Sequence, residues 1–151
     1  MIVWILDASV LLASEDPDDE HHRDARHLLE GDDPLASLDL VYYEVTNVAT
    51  RSWRDDSAAG RLRSRVAAVA DDGGLVRADE SLLEVAAGIA DEHGISVYDA
   101  AYVAAARHSA GQLVSCDVRD LVSRGLAVLP GEALKPQPGR GAEPPGAPQR
   151  D

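Results

Sequence analysis

The chain has 151 residues, 45% hydrophobic and 27% charged, a make-up that fits one globular domain with a sizeable core. Its net charge is −13. The charges of residues 131–151 cancel (Glu132, Glu143 and Asp151 against Lys135, Arg140 and Arg150), so the acidity belongs to the rest of the chain and excludes a blanket electrostatic attraction for nucleic acid. Contact with a polyanion would need a bound cation or a local arginine cluster. No apolar run approaches the roughly 18 residues of a membrane span, and no basic segment precedes the short apolar start as it would in a signal peptide. The expectation is a cytoplasmic protein without membrane contact. The single cysteine, Cys116, excludes an intrachain disulfide and a cysteine-built zinc site, and reads as a small buried side chain.

Ile2 to Leu6 is an unbroken apolar run, which predicts a strand buried on both faces, as in a parallel sheet. Asp7 stands at its carboxyl end, where ligands gather in such sheets. Ala8 to Ser14 is a predicted helix with Ser9 available as its cap. Glu15 to His22, EDPDDEHH, reads as an exposed acidic loop whose charges favour the start of the next helix, His21 to Glu30. Pro34 to Ser37 is a short strand. From Asp39 to Arg54, apolar residues at positions 41, 45, 48, 49 and 53 mark one helical face. Glu44 lies on that stripe, where a charge is costly unless it is compensated. An arginine partner or a functional site would each supply the compensation.

A helix is predicted over Ser57 to Asp71, a strand over Leu75 to Ala78, and a helix over Glu80 to His93 that stops at Gly94. Ser96 to Asp99 matches a capping box, which gives Asp99 a structural reading beside a functional one. The alanine-rich helix that follows has the small side chains needed to approach a sheet closely, and Arg107 lies two turns beyond Asp99. Gln112 to Cys116 repeats the grammar of the first strand, and Asp117 follows at once. A short helix over Asp117 to Arg124 and a strand over Leu126 to Leu129 complete the pattern. From Pro130 to Gln149 come six of the eight prolines and four glycines, so residues 131–151 read as a disordered tail after a domain of residues 1–130. The alternation of strand and helix predicts a three-layer α/β/α fold with a mainly parallel central sheet.

Four acids stand out: Asp7 and Asp117 after strands, Asp99 at a helix start and Glu44 on a core-facing stripe. Two carboxylates about 4 Å apart repel by about 4 kcal/mol at an effective dielectric near 20. If these acids meet, some protonate or a cation sits among them. Mg²⁺ or Mn²⁺ suits carboxylate and water oxygens; zinc is disfavoured because no histidine or second cysteine adjoins them. Such an ion activates water and stabilises charge in phosphodiester attack.

The segments IVWILDAS with Asp7, YYEVTNV with Glu44, VYDAAYVAAA with Asp99 and LVSCDVRDL with Asp117 resemble, in order and spacing, the four acidic motifs of the PIN domain, and among its members most closely the VapC toxins of bacterial toxin–antitoxin pairs. The resemblance covers roughly residues 1 to 130. It implies a Mg²⁺- or Mn²⁺-dependent endoribonuclease that cuts single-stranded or loop RNA and leaves 5′-phosphate and 3′-hydroxyl ends. It implies that Asp7, Glu44, Asp99 and Asp117 hold the metal, that Ser9 and Ser115 support them, that the protein is a homodimer, and that a VapB-like antitoxin silences it. Arg51, Arg54, Arg107 and Arg119 are candidate phosphate contacts. Asp120 is a further acid beside the last motif, with a plain helix surface as its simplest reading.

Other readings remain open from the sequence: an inactive PIN module that only binds, or an RNA-processing or DNA-cleaving enzyme on the same fold. A phosphatase with an aspartate nucleophile would want an acid two residues after Asp7, where Ser9 stands. A phospho-receiver would want a lysine near the last strand, yet the sole lysine is Lys135.

Overall fold

The computed structural model describes residues 2–136. Four strands, β1 (Trp4–Leu6), β2 (Leu35–Leu38), β3 (Leu75–Val76) and β4 (Gln112–Val114), form one sheet in the order β3-β2-β1-β4, with every neighbouring pair parallel. The register sets Ile5 against Ala36 on one side and against Leu113 on the other. The predicted parallel sheet is therefore present, with β1 and β4 as neighbours. Trp4, Ile5 and Leu6 are fully buried, as a strand covered on both faces requires.

The helices are α1 (Ala8–Glu15), α2 (His22–Glu30), α3 (Leu40–Asn47), α4 (Asp56–Asp71), α5 (Glu80–His93), α6 (Val97–His108) and a single turn, α7 (Pro130–Ala133). The chain moves from β1 to β2 to β3 in one direction and then returns past β1 to β4. Right-handed crossovers put helices made on the outward path and on the return path on opposite faces. Accordingly α1, α3 and α4 pack on one another, while α5 and α6 pair with each other and α6 lies along β1, β2 and β4. The result is the three-layer α/β/α sandwich. Every residue of α6 from Ala100 to Ala106 is buried, because this helix lies between the sheet and α5. Its alanines let it sit close. Gly111 continues that approach: a Cβ there would fall 2.5 Å from the Val3 carbonyl oxygen.

Several elements differ from the sequence expectation. The helix predicted over 39–54 is α only to Asn47, and Val48–Ser52 continues as a wider π-type turn that ends at Trp53, before Arg54 at φ +52°. The helix predicted over 117–124 is likewise a π-type turn, Val118–Val122. The strand expected over 126–129 shrinks to one bridge, Val114 to Val128, because only Ser115 and Val128 donate ladder hydrogen bonds across it. Asp7 caps α1 in place of Ser9, its carboxylate accepting the Val10 amide. Of the stretch read as a tail, residues 131–133 belong to α7, which packs on α2, while residues 137–151 lie outside the described residues.

Candidate metal centre

The connection pattern leaves β1 with its chain neighbour β2 on one side and the distant β4 on the other. A crevice outside the carboxyl ends of strands is expected where the strand order reverses in this way. Asp7 and Asp117 are the residues delivered there, and the backbone amide of Asp7 donates to the Val114 carbonyl at 3.3 Å.

Asp7 is 6% exposed, and both of its oxygens are engaged. Oδ1 accepts the Ser9 hydroxyl at 2.5 Å and the Val10 amide at 3.3 Å, and Oδ2 accepts the Ser115 hydroxyl at 2.5 Å. Each serine oxygen in turn accepts an amide from the β4 end: Ser9 from Cys116 at 2.9 Å, Ser115 from Asp117 at 3.0 Å. Two hydroxyls thus clamp one carboxylate and stitch β1 to the end of β4. Burial pushes the Asp7 carboxyl up to about 6 against the pull of these hydrogen bonds, and the charge of Glu44 adds to the rise. These hydroxyls belong to the two serines singled out in the sequence.

Asp117 starts the π-type turn, and its Oδ1 accepts the amide of Asp120 at 3.0 Å. The turn closes with bonds from Val122 to Asp117 (3.0 Å) and from Ser123 to Val118 (2.8 Å), and in this wide loop Asp120 joins the site. Asp99, Asp117 and Asp120 each place a carboxylate oxygen within 4.8 Å of the others. Asp120 was the acid with the weakest claim in the sequence, and an i+3 offset from Asp117 on a wound segment was its only signal.

Asp99 serves both of its readings. Its amide donates to the Ser96 hydroxyl, which caps α6 at 3.0 Å, while its carboxylate joins the cluster. Partial burial and the charges of Asp117 and Asp120 hold its carboxyl above the ordinary range. Glu44 has no arginine partner in the described structure. Its Oε1 accepts the Tyr102 hydroxyl at 2.6 Å, and burial together with the charge of Asp99 raises its carboxyl. Asp7, Glu44 and Asp99 therefore form one electrostatic neighbourhood, and Asp117 and Asp120 extend it through Asp99.

The arginines are more dispersed. Arg119 lies on the rim, almost wholly exposed, 3.9 Å from Asp120. Arg51 lines a shallow hollow beside α3 with Tyr42 and Tyr43. Arg54 is exposed after the π-type turn. Arg107 is eight residues beyond Asp99, about 12 Å along the helix, in a cleft of about 680 Å³ with Arg77 and His108. Cys116 is half-buried, and burial pushes its thiol up to about 12, with Asp7, Asp19 and Glu20 adding to the rise, which disfavours the reactive thiolate.

The donor set is made of hard carboxylate oxygens in mutual repulsion, with no histidine or thiolate in the cluster found among the described residues. This fits an oxygen-seeking divalent cation such as Mg²⁺ or Mn²⁺.

The chain is similar to several known proteins. The PIN domain family model matches residues 4–123. Ribonuclease VapC3 of Pyrobaculum aerophilum is 30% identical over 133 residues, which span 83% of this chain and 96% of that protein. Among solved structures, a toxin–antitoxin complex from Klebsiella pneumoniae superposes with a TM-score of 0.64 at 17% identity, covering 83% of this chain and 96% of that one. VapC20 of Mycobacterium tuberculosis, described as a sarcin–ricin-loop-cleaving toxin, gives 0.62 at 21% identity, covering 81% and 95%. With a family model spanning residues 4–123 and a relative 30% identical over most of its length, the chain belongs to the PIN domain family.

Proposed function

We propose that this protein is a divalent-metal-dependent endoribonuclease and the toxin of a toxin–antitoxin pair, with RNA as its substrate. The observation that carries the reading is the convergence of the Asp99, Asp117 and Asp120 carboxylates within 4.8 Å, beside the clamped Asp7. Ribonuclease VapC3, whose name states the activity, matches over nearly its whole length.

Asp7, Glu44, Asp99 and Asp117 hold the ion, directly or through water, and Asp120 joins them. Bound Mg²⁺ or Mn²⁺ supplies a counter-charge for phosphate oxygens, an activated water and stabilisation of the charge that develops during attack. The chain's own contribution is positional. Ser9 and Ser115 fix the plane of the Asp7 carboxylate, and the Ser96 cap fixes the first turn of α6 and so the place of Asp99. Arg119 stands at the rim, where a phosphate next to the cut would pass. Arg51, Arg54 and Arg107 lie further out and contact flanking phosphates, which position RNA without reading its sequence.

A pocket this acidic also suits a basic segment of a VapB-like antitoxin, which would silence the enzyme by occupying it. A homodimer and a cytoplasmic site of action complete the proposal; among the described residues no helix is long and apolar enough to cross a membrane.

The deciding experiment is cleavage of structured RNA by wild type and Asp7→Asn with Mn²⁺ or with a chelator. We expect cuts that leave 5′-phosphate and 3′-hydroxyl ends, dependent on the ion and lost in the variant. Equal cleavage by both proteins would refute the enzyme assignment. Expression without a partner should slow growth, and Asp99→Ala should relieve that; undiminished toxicity of the variant would sink the assigned role.

A further inference from the structure

Glu44 sits on a stripe that faces the core, and the question it raised in the sequence was what compensates it. Tyr102 answers that question. This tyrosine follows Asp99 by three residues on α6 and is only 2% exposed. Its hydroxyl donates to Glu44 Oε1 across the gap to α3, and Tyr102 is the only side chain among the described residues that hydrogen-bonds this carboxylate. This hydroxyl therefore links α6, which carries Asp99, to α3, which carries Glu44.

We propose that Tyr102 is a positioning residue: its hydroxyl ties Glu44 on α3 to α6, the helix that carries Asp99, and so sets the spacing of the acids that receive the divalent ion. The inference rests on the nuclease reading above. A neutral donor is the right group for the place. An arginine would cancel the charge the ion needs, whereas a phenol fixes one carboxylate oxygen and leaves the net charge in place. A phenol ionises only near pH about 10, so at neutral pH the hydroxyl keeps its proton and remains a donor. Partners that orient a metal-binding group typically cost 10- to 100-fold in affinity or activity when removed.

Tyr102→Phe keeps the ring and removes only the hydroxyl. The test is Mn²⁺ affinity by calorimetry on the full chain, for wild type, Tyr102→Phe, Tyr102→Leu, Glu44→Gln and the Tyr102→Phe/Glu44→Gln double variant, with melting curves recorded alongside. Expected for Tyr102→Phe are about tenfold weaker Mn²⁺ binding and a matching fall in kcat on structured RNA, with KM unchanged. Tyr102→Leu should bind Mn²⁺ no more weakly than Tyr102→Phe, because the hydroxyl and not the ring carries the effect. In the Glu44→Gln background, where the hydroxyl would hold a neutral amide oxygen in place of a charged ligand, its removal should cost less. Affinity within twofold of wild type for Tyr102→Phe, or an undiminished loss in the Glu44→Gln background, would overturn the positioning role while leaving the nuclease reading intact. Absence of Mn²⁺ binding and of cleavage in wild type would remove the nuclease reading itself, and this role with it.

Discussion

Asp7 shows what the site costs the fold. A carboxyl whose pKa is higher in the folded than in the unfolded protein takes up protons on folding, so its charge weakens the native state most above the folded value. Here that value is about 6, against 3.8 for a free aspartate. The penalty is full above about pH 6 and fades as pH falls towards 4. In a chelator, Asp7→Asn should therefore raise the melting temperature by a few degrees at pH 7.5, and the gain should vanish near pH 4, while cleavage with Mn²⁺ is abolished. A variant less stable than wild type at pH 7.5 would mean that the hydrogen bonds from Ser9, Ser115 and Val10 outweigh the burial. Ser115 and Ser9 lower the penalty without removing it, because hydroxyl donors fix the carboxylate but bring no positive charge.

At the scale of elements, the outward path of helices is tied together by Glu15, the last residue of α1. Its side chain is 9% exposed and meets Arg61 at 3.0 Å and Arg65 at 3.1 Å, both on α4. Burial alone would raise its pKa, but the two guanidiniums outweigh it and hold the carboxyl below its usual value. A depressed carboxylate stabilises the fold above the unfolded pKa, near 4.5, and that contribution is lost as pH falls through the folded value. Glu15→Gln should cost about 1 kcal/mol at pH 7, read as a lower urea midpoint with an unchanged slope, and the difference from wild type should close below about pH 4. A gap that persists in acid would point to lost packing instead. Strands and helices with strong periodicity were legible in the chain: β1, α2, α4, α5 and α6 fall within a few residues of their expected ranges. The two π-type turns were not, because a bond shifted from i+4 to i+5 leaves hydrophobic spacing almost unchanged over five residues. Asp120 was noticed but given no role, and Tyr102 was missed, for related reasons: one reaches the cluster through that wide turn, the other through an ordinary apolar position whose hydroxyl finds an acid on another helix.

For the whole molecule, the net charge of −13 and the acid cluster have a common consequence. Ion binding relieves repulsion that the unfolded chain, with its acids far apart, does not suffer. A ligand that binds only the native state adds RT ln(1 + [L]/Kd), about 2.7 kcal/mol at a hundredfold excess over Kd. Millimolar Mn²⁺ should therefore raise the melting temperature reversibly, and the shift should shrink in Asp99→Asn and in Asp120→Asn. An equal shift in all three proteins would assign the stabilisation to diffuse surface binding. The sheet order was only partly legible. The sequence put Asp7 and Asp117 each after a strand, and the structure makes β1 and β4 direct neighbours, but nothing local in residues 126–129 revealed that this stretch contributes a single bridge.

The order in which the acids occur along the chain has its own consequence for synthesis. Residue 7 leaves the ribosome 108 residues ahead of Ser115, which its clamp needs, and the cluster acids Asp117 and Asp120 follow later still. A growing polypeptide therefore carries inert fragments of a blade until nearly the whole domain has emerged, and the translation machinery that makes it is not exposed to a half-built cutter. Arrest or truncation before residue 115 would release a harmless product, so the proposed toxicity is confined to molecules that have been finished.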